Sequence, residues 1–164
     1  MVVVVSLQEF AMTGAFGPVV PGCDPTELES VFGPPESTGG QSRRHRQPLI
    51  WKYGDIEFFF GRVGTLHMVH LDRFSGPDGV PEGWGGLRLE PWCVREGLPL
   101  GEFLTVAEAA RCERLVRYEP QYERTLVTLA SGVQFGFTPK GGLFGLWRSW
   151  EVTVELIVQY SIIK

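Results

Sequence analysis

The sequence predicts an α+β fold of two tandem helix-plus-antiparallel-sheet repeats, with the helices packed on one sheet face. Three observations lead there. From residue 49 onward, short runs rich in β-branched and aromatic residues alternate with turns of hairpin length. Two helix-start signals precede them, Asp24-Pro25-Thr26-Glu27 and Thr105-Val106-Ala107-Glu108. Finally, Val133-Gln134-Phe135-Gly136-Phe137 follows Ile56-Glu57-Phe58-Phe59-Phe60 by 77 positions. The same offset pairs Leu49 with Leu126, Ile50 with Val127, Gly64 with Gly141, Leu66 with Leu143 and Val69 with Leu146. The helix signals do not keep it, because Asp24 and Thr105 lie 81 positions apart. The expected organisation is one domain over 1–164. Its parts are a first repeat at 1–75, a Gly/Pro-rich linker at 76–97, a second repeat at 98–150 and a β-prone tail at 151–164.

Taken in order, Ser6-Leu7-Gln8-Glu9 has capping-box spacing and predicts a short helix to Thr13, ended by Gly14. Asp24 is a good N-cap, and Pro25 is pre-organised for the first helical turn. Leu28, Val31 and Phe32 form an apolar stripe, and Gly33 supplies a left-handed stop before Pro34-Pro35. Residues 36–48 are polar and read as an exposed loop. Strands follow at 49–53, 56–60 and 66–71, with Ile56, Phe58 and Phe60 on one face and Glu57 and Phe59 on the other. The turn-rich stretch 72–86 leads to a brief edge strand at 87–89, then to a helix opened by Thr105. Further strands are expected at 116–119, 124–129, 133–137 and 143–150.

Composition excludes several classes. The chain has 15 Lys+Arg against 19 Asp+Glu, a formal charge of −4, which argues against a basic nucleic-acid binder. With 43% hydrophobic residues and 164 positions it can bury a proper core, so it is neither a collagen, a coiled coil nor a disordered tail. Its 21 Gly and 12 Pro read as turns between short strands. Cys23, Cys93 and Cys112 are odd in number and contain no C-x-x-C pair, which favours structural thiols in a reducing cytosol. The apolar run Val2 to Val5 carries no Lys or Arg and is too short for a signal core, and no stretch approaches a membrane span. A soluble cytoplasmic protein is expected.

The stretch Gly22-Cys23-Asp24-Pro25-Thr26-Glu27-Leu28-Glu29-Ser30-Val31-Phe32-Gly33-Pro34-Pro35 resembles the G-M-[ST]-x-x-[EQ]-V-x-x-L-L-G-x-P signature. That signature opens the β-lactamase-inhibitor-protein-like and BamE (SmpA/OmlA) fold. Gly22 matches the leading Gly and Asp24 the N-cap; Leu28, Val31 and Phe32 match the stripe, and Gly33 and Pro35 the G-x-P end. The resemblance implies a helical unit followed by antiparallel strands, in tandem in the inhibitor proteins. It also implies protein binding across an aromatic-bearing sheet face, without chemistry. Cys23 replaces the usual Met, and neither the lipid-bearing Cys of BamE relatives nor the inhibitors' disulfides have a counterpart.

Candidate chemistry is sparse. His67 and His70 sit three apart, which on a strand sends them to opposite faces and argues against a metal site. Asp72 to Gly79 lacks the alternating ligands of a calcium loop and reads as a turn. No G-x-S-x-G elbow, P-loop or H-E-x-x-H occurs. No catalytic, cofactor-binding or metal-binding residue is therefore expected, and no cofactor. Phe58, Phe60, Phe135 and Phe137 read as core, whereas Phe59, Trp51, Trp84 and Trp147 are harder to hide. Trp84 lies in a glycine-flanked loop, and Arg43-Arg44-His45-Arg46 is the sharpest charge cluster. Trp and Arg are common interface anchors, so Trp84, Arg43, Arg44, Arg46 and Phe59 form the expected docking surface for another, unidentified protein. Folding of Trp84 back as a lid over the sheet end is the competing reading. Neither nucleic acid nor membrane is expected as a partner. The expected function is a non-catalytic cytoplasmic protein-binding module, in its concrete form an immunity or inhibitor protein that neutralises a toxin or enzyme. The alternative is a small apolar ligand binder with a cavity between sheet and helices.

Overall fold

The computed structural model describes residues 1–44 and 46–150. The apolar tail at 151–164 and His45 lie outside the described residues. The chain is α+β; among the described residues it has three α-helices, an eight-stranded antiparallel sheet and a two-stranded parallel sheet.

The N-terminal valines form a strand, β1 (Val3–Ser6), that the sequence reading did not anticipate. It pairs in parallel with β6 (Leu87–Glu90), from Val3 opposite Leu87 to Ser6 opposite Glu90. A four-residue strand is too short to announce itself by alternation, and its partner is 84 positions away. Helix α1 (Leu7–Thr13) then starts where the capping box places it: Ser6 Oγ accepts from the Glu9 amide at 3.3 Å, and Gly14 ends it at φ 75°.

Helix α2 (Pro25–Phe32) has the full reciprocal box. The Glu27 amide donates to Asp24 Oδ1 at 2.9 Å, and the Asp24 amide donates to Glu27 Oε2 at 2.8 Å. Gly33 stops it with φ 79° and ψ −169°, a mirror-extended conformation and not the left-handed helical stop expected. That conformation still favours glycine, and it directs the chain straight into Pro34. The expected loop at 36–48 contains a short strand, β2 (Ser37–Gly39). It has no apolar face and is held only by its pairing with β3 (Ile50–Tyr53).

Strands β4 (Ile56–Phe60) and β5 (Leu66–Leu71) complete a meander. Helix α3 (Leu100–Ala109) corrects the expected start at Thr105. The helix begins directly after Pro99, which stands in an extended N-cap conformation with Glu102 in the first turn. Thr105 is mid-helix, where its hydroxyl donates back to the Gly101 carbonyl at 3.0 Å, so a capping-type residue is satisfied inside the helix. Strands β7 (Arg114–Glu119), β8 (Arg124–Leu129), β9 (Gln134–Phe137) and β10 (Leu143–Ser149) form a second meander. The strand order is β2-β3-β4-β5-β10-β9-β8-β7, so the last strands of the two meanders meet at the centre.

Two register shifts locate β-bulges. Phe59 opposes Met68 while Phe60 opposes Leu66, which leaves His67 as the extra residue. Likewise Leu143 opposes Phe137 and Gly145 opposes Gly136, which leaves Phe144. The first bulge breaks the alternation assumed for β5: Leu66 and Val69, three apart, are both buried. Parity across His67 therefore cannot assign His67 and His70 to opposite faces.

The core is aromatic. Phe32 packs on Tyr53 and Phe58 at 5.7 and 5.9 Å, and Phe16 meets Phe58 edge-on at 5.6 Å. On the second meander Phe103 of α3 stacks 4.3 Å from Phe135 and 5.6 Å from Phe137. Phe58, Phe60, Phe135 and Phe137 are all buried, as their shared pleat predicted. The Tyr53 hydroxyl donates to the Gly33 carbonyl at 2.8 Å and ties the sheet to the end of α2. Ser131 Oγ donates to the Ala11 carbonyl at 2.6 Å, so α1 is fastened to the second meander.

Candidate functional site

Two surfaces gather functional side chains, one on each side of the first meander. The first is a cleft of about 600 Å³ at the N-terminal end of α2. Pro25 and Thr26 form one wall, Trp51 and Phe60 the apolar part, and Arg44, Arg46 and Arg62 the charged part. Phe60 is buried, and Trp51 meets it edge-on at 5.9 Å. The Trp51 indole Nε1 is buried and has no hydrogen-bond partner among the described residues. Arg44, Arg46 and Arg62 make no ion pair among those residues either. The Trp51 ring and three guanidinium groups unpaired among the described residues thus line one concavity in a chain of net charge −4. Such a cleft suits a carboxylate-bearing group with an apolar portion, since guanidinium binds carboxylate bidentately.

The second surface is the sheet face opposite Phe58 and Phe135. Phe59, His70, Trp147 and Phe144 form a continuous band there, with successive ring centroids 6.2, 5.8 and 6.3 Å apart. Register explains the central pair, since Trp147 lies directly opposite His70 across β5 and β10. Phe144, the bulge residue, lies over Gly136, where any Cβ would fall 2.4 Å from its ring. Trp147 Nε1 donates to Gln134 Oε1 at 2.8 Å, and Gln134 Nε2 donates to Thr128 Oγ1 at 3.1 Å. At the far end, Arg124 stacks 4.6 Å over Tyr122 and 5.7 Å from the Trp147 ring. Its Nε donates to Glu119 Oε2 at 2.7 Å, and Arg117 donates to the other oxygen at 2.7 Å. Burial alone would raise the Glu119 carboxyl, but the hydrogen bonds from Arg124 and Arg117 outweigh it and hold it below the ordinary range.

These placements divide the docking set read from the sequence. Arg44 and Arg46 line the cleft, and Arg43 is exposed beside them. Phe59 belongs to the aromatic band on the other face. Trp84, 47% exposed, lines a separate hollow with Met1, Glu29 and Gly33 at the C-terminal end of α2. An eight-residue helix spans about 12 Å, which separates Trp84 from the arginines. The neighbours of Trp84 in that hollow are the last turn of α2, Gly33, Pro34 and Met1.

Arg62 and Trp51 as cleft residues, and the approach of His70 and Arg124 to Trp147, were not legible in the sequence. A lone arginine in a hairpin turn carries no signal, and cross-sheet neighbours 77 positions apart become visible only through register.

The thiols are passive. Burial pushes Cys93 up to about 11, and burial likewise raises Cys23 and Cys112, so none is a poised nucleophile. His67 Nδ1 is buried and unpartnered, and His70 Nδ1 stands 4.0 Å from Glu57 Oε2, beyond hydrogen-bond reach. Among the described residues no helix is long and apolar enough to cross a membrane.

No protein-family model matches the chain, and no curated protein matches it. Among solved structures, the crystal structure of a DUF4309 family protein (YjgB) from Bacillus subtilis subsp. subtilis str. 168 is similar. Its TM-score is 0.44 at 14% identity, over 87% of this chain and 93% of that chain.

Proposed function

We propose that this protein is a non-catalytic protein-binding module that seats an acidic segment of a partner in the Trp51–Arg44–Arg46–Arg62 cleft. The observation that carries the reading is that three arginines, unpaired among the described residues, line one cleft with Trp51. An anionic side chain of a partner would answer the guanidinium charges, and its apolar neighbour would cover the Trp51 ring. In its concrete form the module is an immunity or inhibitor protein, working in a reducing cytosol. Three free cysteines are consistent with that compartment. The alternative of an apolar ligand between sheet and helices has less support, because Phe16, Phe32, Phe103 and Phe135 fill that space.

The architecture that presents the cleft is, on this proposal, a duplicated inhibitor-like or BamE-like unit with helices over one sheet face. Strands β2 and β7, and β5 and β10, begin 77 positions apart. So do the last residues of α2 and α3, Phe32 and Ala109, and the bulge residues His67 and Phe144. The helix ends keep the offset that the helix-start signals lacked.

The test is binding of a Glu-rich peptide carrying one aromatic residue, read by Trp emission at two salt concentrations. Simultaneous Arg44→Ala, Arg46→Ala and Arg62→Ala should abolish the salt-dependent part, while Trp84→Ala leaves it intact. Equal affinity of the triple variant, or loss only in Trp84→Ala, would remove the cleft from the proposal.

A further inference from the structure

We propose that Glu57, His70 and Asp72 bind a divalent transition-metal cation of the zinc class, on the sheet face bearing the aromatic band. Their ligand atoms lie within 4.8 Å of one another. Three independent features of the strands bring them together. Glu57 on β4 is the register partner of His70 on β5. Asp72 follows His70 by two positions and so returns to the same face. Gly145 lets β10 pack closely at the Asp72 corner, since a Cβ there would fall 2.9 Å from the Leu71 carbonyl oxygen.

The groups have no competing use. Among the described residues neither Glu57 nor Asp72 takes a hydrogen bond, and the sole ion-pair approach is the 4.0 Å one between Glu57 and His70. Lys52 lies opposite Glu57 in register but forms no ion pair with it. Two carboxylates and an imidazole therefore converge with their charge unanswered, which a divalent cation would offset. The imidazole is held between Phe59 at 6.2 Å and Trp147 at 5.8 Å, which limits its rotation. A zinc ion bonds such nitrogen and oxygen atoms at about 2.0–2.2 Å, which sets tetrahedral ligand atoms about 3.4 Å apart. Binding therefore requires the two carboxylate side chains to rotate inward from their present spacing of up to 4.8 Å.

The donor set chooses the class of cation. Calcium asks for six to eight oxygens and magnesium for an oxygen octahedron, whereas imidazole with carboxylates suits zinc, iron, nickel or cobalt. Three protein ligands leave a fourth position facing solvent, open to water or to a donor from a docked partner. The strand arithmetic that argued against metal considered only His67 and His70. The present trio takes its second ligand from the neighbouring strand.

The full chain titrated with zinc chloride by calorimetry, and with cobalt chloride by absorption and Trp emission, tests the site. One equivalent is expected to bind. Asp72→Asn and His70→Gln should each weaken binding by about tenfold or more. His67→Gln should not, and the cobalt spectrum should lack a thiolate charge-transfer band. Trp147→Phe should reduce the cobalt quenching, because the Trp147 ring packs 5.8 Å from the His70 imidazole. Asp72 is exposed, so its variant reports on binding without a folding penalty. Unchanged affinity in both ligand variants, loss in His67→Gln, a thiolate band, or no zinc uptake would each overturn the proposal.

Discussion

Asp55 is 3% exposed, and its Oδ2 accepts three hydrogen bonds. The donors are the Ser75 amide at 2.8 Å, the Ser75 hydroxyl at 3.0 Å and the Glu82 amide at 2.8 Å. One carboxylate in the β3–β4 turn thus pins both ends of the turn-rich segment that leads to Trp84. Hydrogen bonds to a charged group are each worth about 1.5–3 kcal/mol, so three set an upper limit of about 9 kcal/mol. The carboxylate's own desolvation offsets much of that, and water reaches exposed Ser75 in the variant. Asp55→Ala should therefore cost about 3 kcal/mol, a fall in Tm of about 6–12 °C for a chain this long. All three donors converge on one oxygen, so Asp55→Asn can keep the geometry with its amide oxygen and lose only the charge assistance. It should cost about 1 kcal/mol. Urea unfolding followed by circular dichroism gives both values. A loss under about 1 kcal/mol for alanine, or equal losses for asparagine and alanine, would refute the argument that one shared acceptor organises the segment.

Other expectations follow from the packing. Gly136→Ala places a methyl against the Phe144 ring and should cost about 1–3 kcal/mol, with a changed near-ultraviolet dichroism as the ring shifts. Phe103→Ala removes a fully buried ring stacked on Phe135 and Phe137, and should cost about 3–5 kcal/mol in urea unfolding. Burial raises the Cys93 thiol from 9.0 to about 11. The folded state therefore favours the protonated form, and its contribution is complete below pH 9 and lost between pH 9 and 11. Cys93→Ser should flatten that part of the stability profile, and alkylation of Cys93 in the folded chain should stay slow at pH 8.

Much of the backbone was legible because its signals are local. Asp24-Pro25-Thr26-Glu27 marked α2 to the residue, and Arg124 to Leu129 was read at both ends. Local signals also misled, since Thr105 offers cap chemistry that Gly101 absorbs inside a helix. β1 and β2 escaped notice because strands of four and three residues depend on their partners for existence. The candidate sites were legible only in part for the same reason. Arg44 and Arg46 were visible as a cluster, but Arg62 joins them through a hairpin turn, and Trp51 through its place beside Phe60. His70 met Glu57 and Trp147 only once the register of β4, β5 and β10 was known.

The central seam of the large sheet also has a consequence in time. Leu71 and Leu146 are neighbours there although 75 positions separate them, whereas Tyr53 and Ile56 pair across a two-residue turn. Chain closure is slow and entropically costly for the first kind of contact and fast for the second. Each meander can therefore assemble from adjacent hairpins before the two join, and the joining of β5 to β10 becomes the late, rate-setting encounter. Until then both strands present an open edge and an apolar face to solvent. The moment of greatest exposure to misassembly thus falls just before the sheet closes at its middle.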